Sequence, residues 1–151
     1  MANEKENARL AKEAYDLFSK GDLNGTVQHF AENAKFISMP TGEAFRGRNE
    51  IQGFIGNFKT AFPDMKLDIS QQVSCGDQVV TEFVAKGTHK GTFKTPMGDI
   101  SPTNRKVEVS LCETLNVNSD GKFTEAHLYF DTASLMQQLG VTNLAEAQNM
   151  R

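Results

Sequence analysis

Proton-transferring side chains recur near the C-terminal end of the chain at a spacing that could bring them together. His127, Tyr129 and Asp131 are two positions apart, and side chains two apart on a β-strand share one face. An imidazole, a phenol and a carboxyl group can each donate or accept a proton. If the strand is regular and lines a cavity, the three groups predict a site for general acid or base catalysis.

A further imidazole, His89, lies between two glycines in the segment Gly87–Phe93, which follows a strongly strand-like stretch. Glycine within a strand indicates a bend or the close approach of another group. The pattern is typical either of a curved sheet with His89 on its concave side or of a bulge with an exposed histidine. In the first case His89 could join Asp131 in an apolar cavity, where burial and neighbouring charge together set the protonation of both groups.

Structural roles compete with chemical ones at two acidic positions. Asp131 precedes a helical pattern over residues 132–139 and could simply be the N-cap of that helix. Glu113 interrupts an apolar strand face, for which an edge-strand charge or an interface ion pair is the first interpretation and a pocket role the second.

Other kinds of site find little support in the sequence. His29, His89 and His127 lack the spacing of metal ligands, and Cys75 and Cys112 match no metal or redox motif. The contexts of a serine nucleophile and of a glycine-rich phosphate loop are also missing. We therefore expect neither a metal ion nor a cofactor.

Three helices are predicted before the strands that carry these groups. Apolar residues recur at helical spacing over residues 3–20, in a short helix capped by Asp22, and from Asn49 to a stop at Pro63. Tyr15 lies on the apolar stripe of the first helix and Phe58 on that of the third. Both are candidates for contact with a substrate.

The second half of the chain changes to the alternation that is typical of strands, with a hairpin signal at 118–121. This order predicts an α+β domain in which helices cover one face of a curved antiparallel sheet and leave a cone-shaped cavity between them. Residues 94–105 are predicted to form a loop over the cavity mouth because two prolines and a glycine exclude them from the sheet. Arg105 ends this loop and is a further candidate for substrate contact.

Composition limits the possible partners. The 151 residues are predicted to form one domain, with 38% hydrophobic residues and a net charge of -3, so that no nucleic-acid footprint is present. No apolar run is long enough to span a bilayer, and the first residues lack the apolar region of a signal peptide. These features favour a cytoplasmic protein without a membrane partner.

Several short motifs, in their order along the chain, resemble the SnoaL-like polyketide cyclases of the nuclear transport factor 2-like superfamily. They are Phe62-Pro63-Asp64, Gly87-Thr88-His89-Lys90-Gly91, Thr103-Asn104-Arg105, Asp120-Gly121-Lys122, and Tyr129-Phe130-Asp131 followed by Leu135, Gln138, Leu139 and Gly140. The resemblance implies a cone-shaped α+β barrel, no cofactor or metal, and a homodimer packed through the sheet.

The resemblance also implies an activity. Asp131 would be the general acid/base of an intramolecular aldol condensation that closes a ring on a polyketide-derived ester, and His89 would position or stabilise the enolate oxygen. The partner would be a small hydrophobic molecule that contains a carbonyl group. Two departures, Asn104 in place of a frequent glycine and His127 in place of a frequent tryptophan, alter the lining or the entrance of the pocket.

Other functions of the same fold remain open at this point. One is a non-catalytic small-molecule-binding or dimeric interaction module, because fold alone does not determine function. Another is an enzyme similar to ketosteroid isomerases or epoxide hydrolases. Hydrolysis ranks lowest, because it needs an arginine inside the cavity and Arg46, Arg48 and Arg105 are all predicted to lie in loops.

Overall fold

The computed structural model describes residues 3–141, in which four helices and eight strands follow one another. The helices are α1 (Glu4–Ser19), α2 (Leu23–Gln28), α3 (Gly47–Ala61) and α4 (Thr132–Gln138). The strands are β1 (Phe30–Ser38), β2 (Glu43–Arg46), β3 (Lys66–Cys75), β4 (Gln78–Thr88), β5 (Phe93–Thr95), β6 (Gly98–Ile100), β7 (Lys106–Val117) and β8 (Phe123–Phe130). The residues Leu144, Ala145 and Ala147 predict one last helical turn, which lies outside the described residues.

Six of the strands form one sheet in the order β2-β1-β8-β7-β4-β3. Neighbouring strands are antiparallel except β1 and β8, which are parallel. The predicted α+β class and the curved, mainly antiparallel sheet are therefore confirmed, and the parallel pair is the departure from the prediction. Parallel neighbours need a long connection, which the chain between β1 and β8 supplies.

The first two helices begin at polar caps, and the sequence predicts the cap of the second, Asp22. Asn3 accepts a hydrogen bond from the Glu6 backbone N–H at the start of α1, and Asp22 does the same for Gly25 in α2. Helix α3 begins at Gly47, two residues before the predicted Asn49. The N-cap residue, Arg46, makes no side-chain capping bond. The Glu50 carboxylate accepts a hydrogen bond from the Arg46 backbone N–H instead.

The segment over residues 94–105 lies outside the main sheet, as predicted, but it is not simply a loop. Strands β5 and β6 form a separate two-stranded ribbon. The Asn57 side chain on α3 donates to the Lys94 carbonyl at 2.8 Å and accepts from the Lys94 N–H at 3.1 Å. The Phe93 ring packs against Phe58 and Phe62. This ribbon is therefore a folded arm fixed to α3.

The core lies between the helices and one face of the sheet, here called the inner face. Alternate residues of the central strands point to it: positions 79, 81, 83 and 85 of β4, the odd positions 107–117 of β7, and positions 126, 128 and 130 of β8. The other face of the sheet, the outer face, carries the intervening residues. No helix within residues 3–141 has the length and apolarity needed to cross a membrane.

Candidate functional site

A cavity of about 100 Å³ lies between the inner face and helices α1 and α3. Most of the chain's phenylalanines line it, and its polar lining residues within the described part of the chain are Tyr15, Thr26 and Glu113. An apolar cavity of roughly 150 Å³ holds a benzene-sized molecule. The cavity is smaller than that, so a ligand of benzene size or larger enters only when side chains of the walls move.

Tyr15 and Glu113 form a buried polar pair at the wall of this cavity. The Tyr15 hydroxyl donates a hydrogen bond of 2.7 Å to Glu113 Oε1, and the two residues are 7% and 6% exposed. Helix α1 positions Tyr15 on its buried face, where the ring packs on Phe83 at 5.0 Å. Strand β7 positions Glu113 between the inward-facing Leu111 and Leu115.

Burial governs the chemistry of Glu113. It raises the pKa of the carboxyl to about 7, while the hydrogen bond from Tyr15 acts in the opposite direction and lowers it. Within residues 3–141, no lysine or arginine forms an ion pair with this carboxyl. Near neutral pH the group is therefore present in both protonation states, which is the condition under which a general acid or base is most efficient.

Tyr15 remains a hydrogen-bond donor over the accessible pH range. Burial raises the pKa of its phenol well above the ordinary value, and the charge of Glu113 raises it further. A protonated phenol and a carboxyl kept partly neutral by its apolar surroundings can both donate hydrogen bonds to an oxygen atom on which negative charge develops. The pair thus combines a proton acceptor with an oxyanion-stabilising donor.

The predicted acid/base face of β8 lies on the outer side of the sheet, so the expectation that it lines the cavity is wrong. Leu128 and Phe130 line the cavity instead, and the residues between them point away from it. The physical reason is that the cavity wall is continuous with the apolar core. The apolar face of the strand therefore packs inward, and the polar face points outward.

The three residues predicted to share the acid/base face, His127, Tyr129 and Asp131, have different environments. The His127 ring lies 2.6 Å from the carboxylate of Glu125, and Tyr129 is 43% exposed. Asp131 is exposed, and its carboxylate accepts from the backbone N–H of Ser134 at the start of α4. The structural interpretation of Asp131 as an N-cap is confirmed.

His89 is fully buried, but it lies outside the cavity. Its Nδ1 accepts from the Thr103 backbone N–H at 3.2 Å and lies 3.0 Å from the Thr103 hydroxyl, and its ring packs on Phe62. Burial lowers the pKa of the imidazole, while the Gly91 backbone raises it. The neutral ring thus fastens the base of the arm, and the predicted shared cavity of His89 and Asp131 is not present.

The glycines beside His89 explain this placement. A Cβ at Gly91 would lie 2.0 Å from the Thr60 carbonyl oxygen, and one at Gly87 would lie 3.1 Å from the Phe62 side chain. The predicted close approach at these glycines is therefore confirmed. The approaching group is the C-terminal end of α3 rather than a ligand, which turns the histidine away from the concave side.

The remaining three candidates divide between two places. Tyr15 and Phe58 line the cavity, as residues that contact a substrate must. Arg105 is exposed, and its guanidinium lies where a Cβ at position 140 would project. Gly140 has a φ of 81°, a backbone conformation that favours glycine. Within residues 3–141, no three His, Cys, Asp or Glu side chains are arranged to bind a metal ion together.

Glu113 is the residue that the first interpretation of the sequence missed. Strand β7 lies between β8 and β4, so the prediction that Glu113 is a charge on an edge strand is wrong. The carboxyl lines the cavity, which agrees with the pocket role that was the second interpretation. Its signal was present in the sequence: a carboxylate at an odd position interrupts the apolar alternation of β7. An acidic side chain in the middle of a buried face needs a partner, which Tyr15 provides.

The chain is similar to known proteins over most of its length. A family model described as SnoaL-like polyketide cyclase matches residues 8–139. No curated protein sequence matches the chain significantly. The solved structure of IdmH, described as a candidate polyketide cyclase from Streptomyces antibioticus, is 28% identical with a TM-score of 0.73, and the match covers 89% of this chain and 99% of that one.

Two further solved structures share the architecture. A candidate polyketide cyclase from Xanthomonas campestris pv. campestris is 20% identical with a TM-score of 0.78, and the match covers 91% of this chain and 99% of the other. A protein with a ketosteroid isomerase-like fold from Catenulispora acidiphila is 19% identical with a TM-score of 0.73, at 87% and 92% coverage. These similarities confirm the predicted cone-shaped fold.

Proposed function

Because the chain belongs to the SnoaL-like polyketide cyclase family, we propose that its cavity catalyses proton transfer next to a carbonyl group. The reaction is an intramolecular aldol-type ring closure or a related enolisation. Glu113 transfers the proton, and Tyr15 donates a hydrogen bond to the carbonyl oxygen. One observation carries this proposal: the hydrogen-bonded Tyr15–Glu113 pair at the wall of a largely apolar cavity.

The geometry of the pair suits the two ends of an enolisation. The Tyr15 hydroxyl has one proton, so a ligand carbonyl that accepts it replaces the Glu113 carboxylate as acceptor. The carboxylate, which lies 2.7 Å from the phenol oxygen in the free protein, is then close to the α-carbon of the ligand. The carboxylate removes the α-proton, and the C–H electron pair becomes the enolate, whose oxygen Tyr15 stabilises. The enolate carbon then attacks a second carbonyl, whose oxygen takes the proton from Glu113, or the enolate carbon takes that proton back itself. Neither step consumes an oxidant or a reductant.

The proposed substrate is a small hydrophobic molecule with a carbonyl group. Aromatic and aliphatic side chains form most of the cavity surface, which favours apolar ligand atoms over charged ones. Polar atoms of the ligand find partners mainly at Tyr15 and Glu113. A single carbonyl at one end of an otherwise apolar molecule matches this distribution.

Enolisation can be tested before the natural substrate is known. The protein is incubated in D₂O with small simple ketones such as phenylacetone and cyclohexanone, and the exchange of their α-protons is followed by NMR. We expect Glu113→Gln to slow the exchange about 10²- to 10⁴-fold, because the variant keeps the shape but loses the base. Tyr15→Phe is expected to slow it roughly 10²-fold through the loss of the oxyanion donor.

The residues first predicted to be catalytic supply matched controls. Asp131→Asn and His89→Asn change titratable groups that lie outside the cavity, so both variants should exchange at the wild-type rate. Wild-type exchange in Glu113→Gln would overturn the proposal. Loss of exchange in Asp131→Asn with a folded protein would return the acid/base role to that residue.

A non-catalytic small-molecule carrier is the second candidate function. It is favoured by the fact that Tyr15 and Glu113 satisfy one another in the free protein, while His89 and Asp131 are bound to backbone N–H groups. A carrier would bind the same ketones in Glu113→Gln and wild type alike and would exchange no α-proton in either. Binding measured by calorimetry beside the exchange assay separates the two functions.

Hydrolysis of an epoxide has little support from the cavity lining. None of the three arginines considered for an epoxide hydrolase lines the cavity, and Arg48 donates to the Phe30 carbonyl instead, so hydrolysis stays the lowest-ranked alternative.

We also propose a homodimer packed through the outer face of the sheet, where Val73 and Tyr129 are 52% and 43% exposed. Sedimentation of wild type and Tyr129→Glu would test it, since the charge should favour monomers.

A further inference from the structure

The polar side chains that line the cavity leave one oxygen atom unpaired. The Thr26 hydroxyl donates to the Asp22 carbonyl at 2.8 Å, and the Tyr15 hydroxyl donates to Glu113 Oε1 at 2.7 Å. The other oxygen of this carboxyl, Oε2, has no hydrogen-bond partner within residues 3–141. Because Glu113 lines the cavity, a ligand there can reach this oxygen.

The charge of the ionised carboxyl has no counter-charge either. In the described part of the chain, none of the ion pairs includes Glu113, and the titratable side chain that faces it is the Tyr15 phenol. Its register partners Thr81 and Leu128 are uncharged, and Cys112 points to the outer face. Buried charges are ordinarily paired, so the site lacks the cation that a buried carboxylate favours.

Two aromatic rings lie beside this carboxyl on the neighbouring strands. Phe83 on β4 and Phe130 on β8 are both register partners of Leu111, which is two positions before Glu113 on the same face of β7. Such diagonal neighbours in a sheet are within reach of an aromatic side chain, and both rings line the cavity. The face of a phenylalanine ring attracts a cation.

We propose that the cavity binds small aliphatic amines in their protonated form, with the ammonium group on Glu113 Oε2 and the alkyl part among the phenylalanine rings. This inference goes beyond the proposed function, since it concerns a class of ligand that carries no carbonyl group and undergoes no reaction. Such an amine occupies the place of a carbonyl substrate and therefore competes with it.

The balance of energies favours an amine over a neutral molecule of the same shape. The carboxyl is already removed from water in the free protein, so the new cost is the desolvation of the ammonium group alone. A charge-assisted hydrogen bond to Oε2 and the faces of the rings offset this cost. The volume of about 100 Å³ restricts the ligand to amines with fewer non-hydrogen atoms than benzene.

The ionisation of Glu113 gives the binding a characteristic pH dependence. Burial raises the pKa of this carboxyl to about 7, whereas an alkylamine such as the lysine side chain has a pKa of about 10.4. Between pH 6 and pH 8 the amine therefore stays charged while the carboxyl ionises. The affinity for an amine should rise about tenfold over this range, and the affinity for an alcohol should stay nearly constant.

The test compares isobutylamine with isobutanol, which has the same shape without the charge. Affinities are measured by NMR titration of the backbone amide signals in phosphate buffer at constant ionic strength. At pH 8 we expect the wild-type protein to bind the amine about tenfold more tightly than the alcohol, because a hydrogen bond to a charged group is the stronger one.

Two variants locate the amine. Glu113→Gln removes the charge from the cavity, so the preference for the amine and its pH dependence should both disappear, while isobutanol should still bind. Glu82→Gln removes a charge of the same sign from the outer face of the adjacent strand and should bind the amine as wild type does.

Three results would overturn the inference. They are equal affinities of wild type for the amine and the alcohol at pH 8, a preference for the amine that persists in Glu113→Gln, and loss of that preference in Glu82→Gln. If Glu113→Gln does not fold, the wild-type protein decides the question. An amine affinity that does not change between pH 6 and pH 8 would then contradict the role of the carboxylate.

The α-proton exchange assay distinguishes failure of this inference from failure of the proposed function. Amine binding that depends on Glu113, without exchange that depends on it, would overturn the proposed function and support the amine site. Exchange that depends on Glu113, without a preference for the amine, would do the reverse.

Discussion

The Tyr15 hydroxyl on α1 and the Glu113 carboxylate on β7 lie 2.7 Å apart, although 98 positions separate them in the sequence. Their bond joins the first helix to a central strand of the sheet, so the ionisation of the carboxyl depends on how this helix packs. Burial of a carboxyl beside a phenol, without a cation partner within residues 3–141, sets the pKa of Glu113 at about 7. The same contact therefore determines both a local stability cost and a candidate acid/base group.

The pH dependence of α-proton exchange should follow this ionisation. The rate is expected to rise with pH through about 7, because the proposed base is the Glu113 carboxylate. Tyr15→Phe should move this limb to higher pH, since the hydrogen bond from Tyr15 lowers the pKa of the carboxyl. A pH–rate profile on phenylacetone measures the shift. Phe58→Leu, which changes the cavity lining without touching the pair, should leave the limb in place.

Glu113 should make the folded state less stable as the pH rises. Between 4.5 and about 7 the carboxyl is ionised in the unfolded chain and protonated in the folded one, so raising the pH through this window favours unfolding. The full difference corresponds to about 3 kcal/mol of unfolding free energy at pH 8. Glu113→Gln has no carboxyl to ionise at this position. Its free energy of unfolding, measured by urea denaturation, should therefore increase relative to that of wild type when the pH is raised from 4.5 to 8.

An unchanged difference between Glu113→Gln and wild type at the two pH values would show that the carboxyl is solvated in solution. A surface control, Glu82→Gln, lies opposite Cys112 on the outer face and should give the same difference at both pH values.

The fold followed from residue periodicity, because burial imposes the period on the sequence. The stripe through Ala11, Tyr15 and Phe18 predicted α1, and the alternation over residues 107–117 predicted a strand whose apolar face is the inner face of β7. The parallel pairing of β1 with β8 did not follow, because periodicity identifies a buried face and not the neighbouring strand.

The candidate site followed only in part, for a physical reason. A run such as His127, Leu128, Tyr129 and Phe130 shows that two faces exist, but chemistry alone suggested that the polar one should line the cavity. The cavity wall belongs to the core, so the apolar face was the correct choice. Glu113 could have been found by searching the apolar faces of the strands for a single polar residue, because those faces form the cavity wall.

His89 should stabilise the folded protein less as the pH falls. Burial lowers the pKa of its imidazole below 6.5, so below that pH the unfolded chain binds a proton that the folded protein does not. His89→Asn keeps an acceptor for the Thr103 N–H and removes the titration. Compared with wild type, this variant should gain stability in urea as the pH falls from 7 to 5.

His89→Leu serves as the matched comparison, since it removes the acceptor as well. It should be less stable than His89→Asn at every pH, because the buried Thr103 N–H loses its partner. Equal stabilities of the two variants would contradict the fastening role given to Nδ1.

Asp131 is expected to affect stability rather than chemistry. Asp131→Ala removes the acceptor of the Ser134 N–H at the start of α4 and should cost about 1 kcal/mol of unfolding free energy. Asp131→Asn retains a capping oxygen and should lie close to wild type. Both variants should keep wild-type exchange rates, measured beside urea denaturation. A folded Asp131→Ala protein with greatly slowed exchange would place the outer face in the mechanism.

The fit of the segment before the arm against α3 can be tested with two glycines, one packed against a backbone carbonyl and one with open space beside it. In Gly91→Ala the new Cβ would lie 2.0 Å from the Thr60 carbonyl oxygen, a backbone atom that cannot move without shifting the end of α3. Because its backbone does not have a positive φ, the loss can be assigned to this contact. We expect a destabilisation of roughly 2 kcal/mol or more, measured by urea denaturation.

Gly53 is the matched position, since it lies within α3 and has no atom within 4 Å of an added Cβ. Gly53→Ala should therefore stabilise the protein by about 0.5–1 kcal/mol, because alanine loses less backbone entropy in a helix. The two substitutions add the same methyl group, so a loss at position 91 beside a gain at position 53 shows that the clash with Thr60 outweighs the gain in backbone entropy. A neutral Gly91→Ala would mean that the arm is not held against α3 in solution, and the buried environment of His89 would then need to be reconsidered.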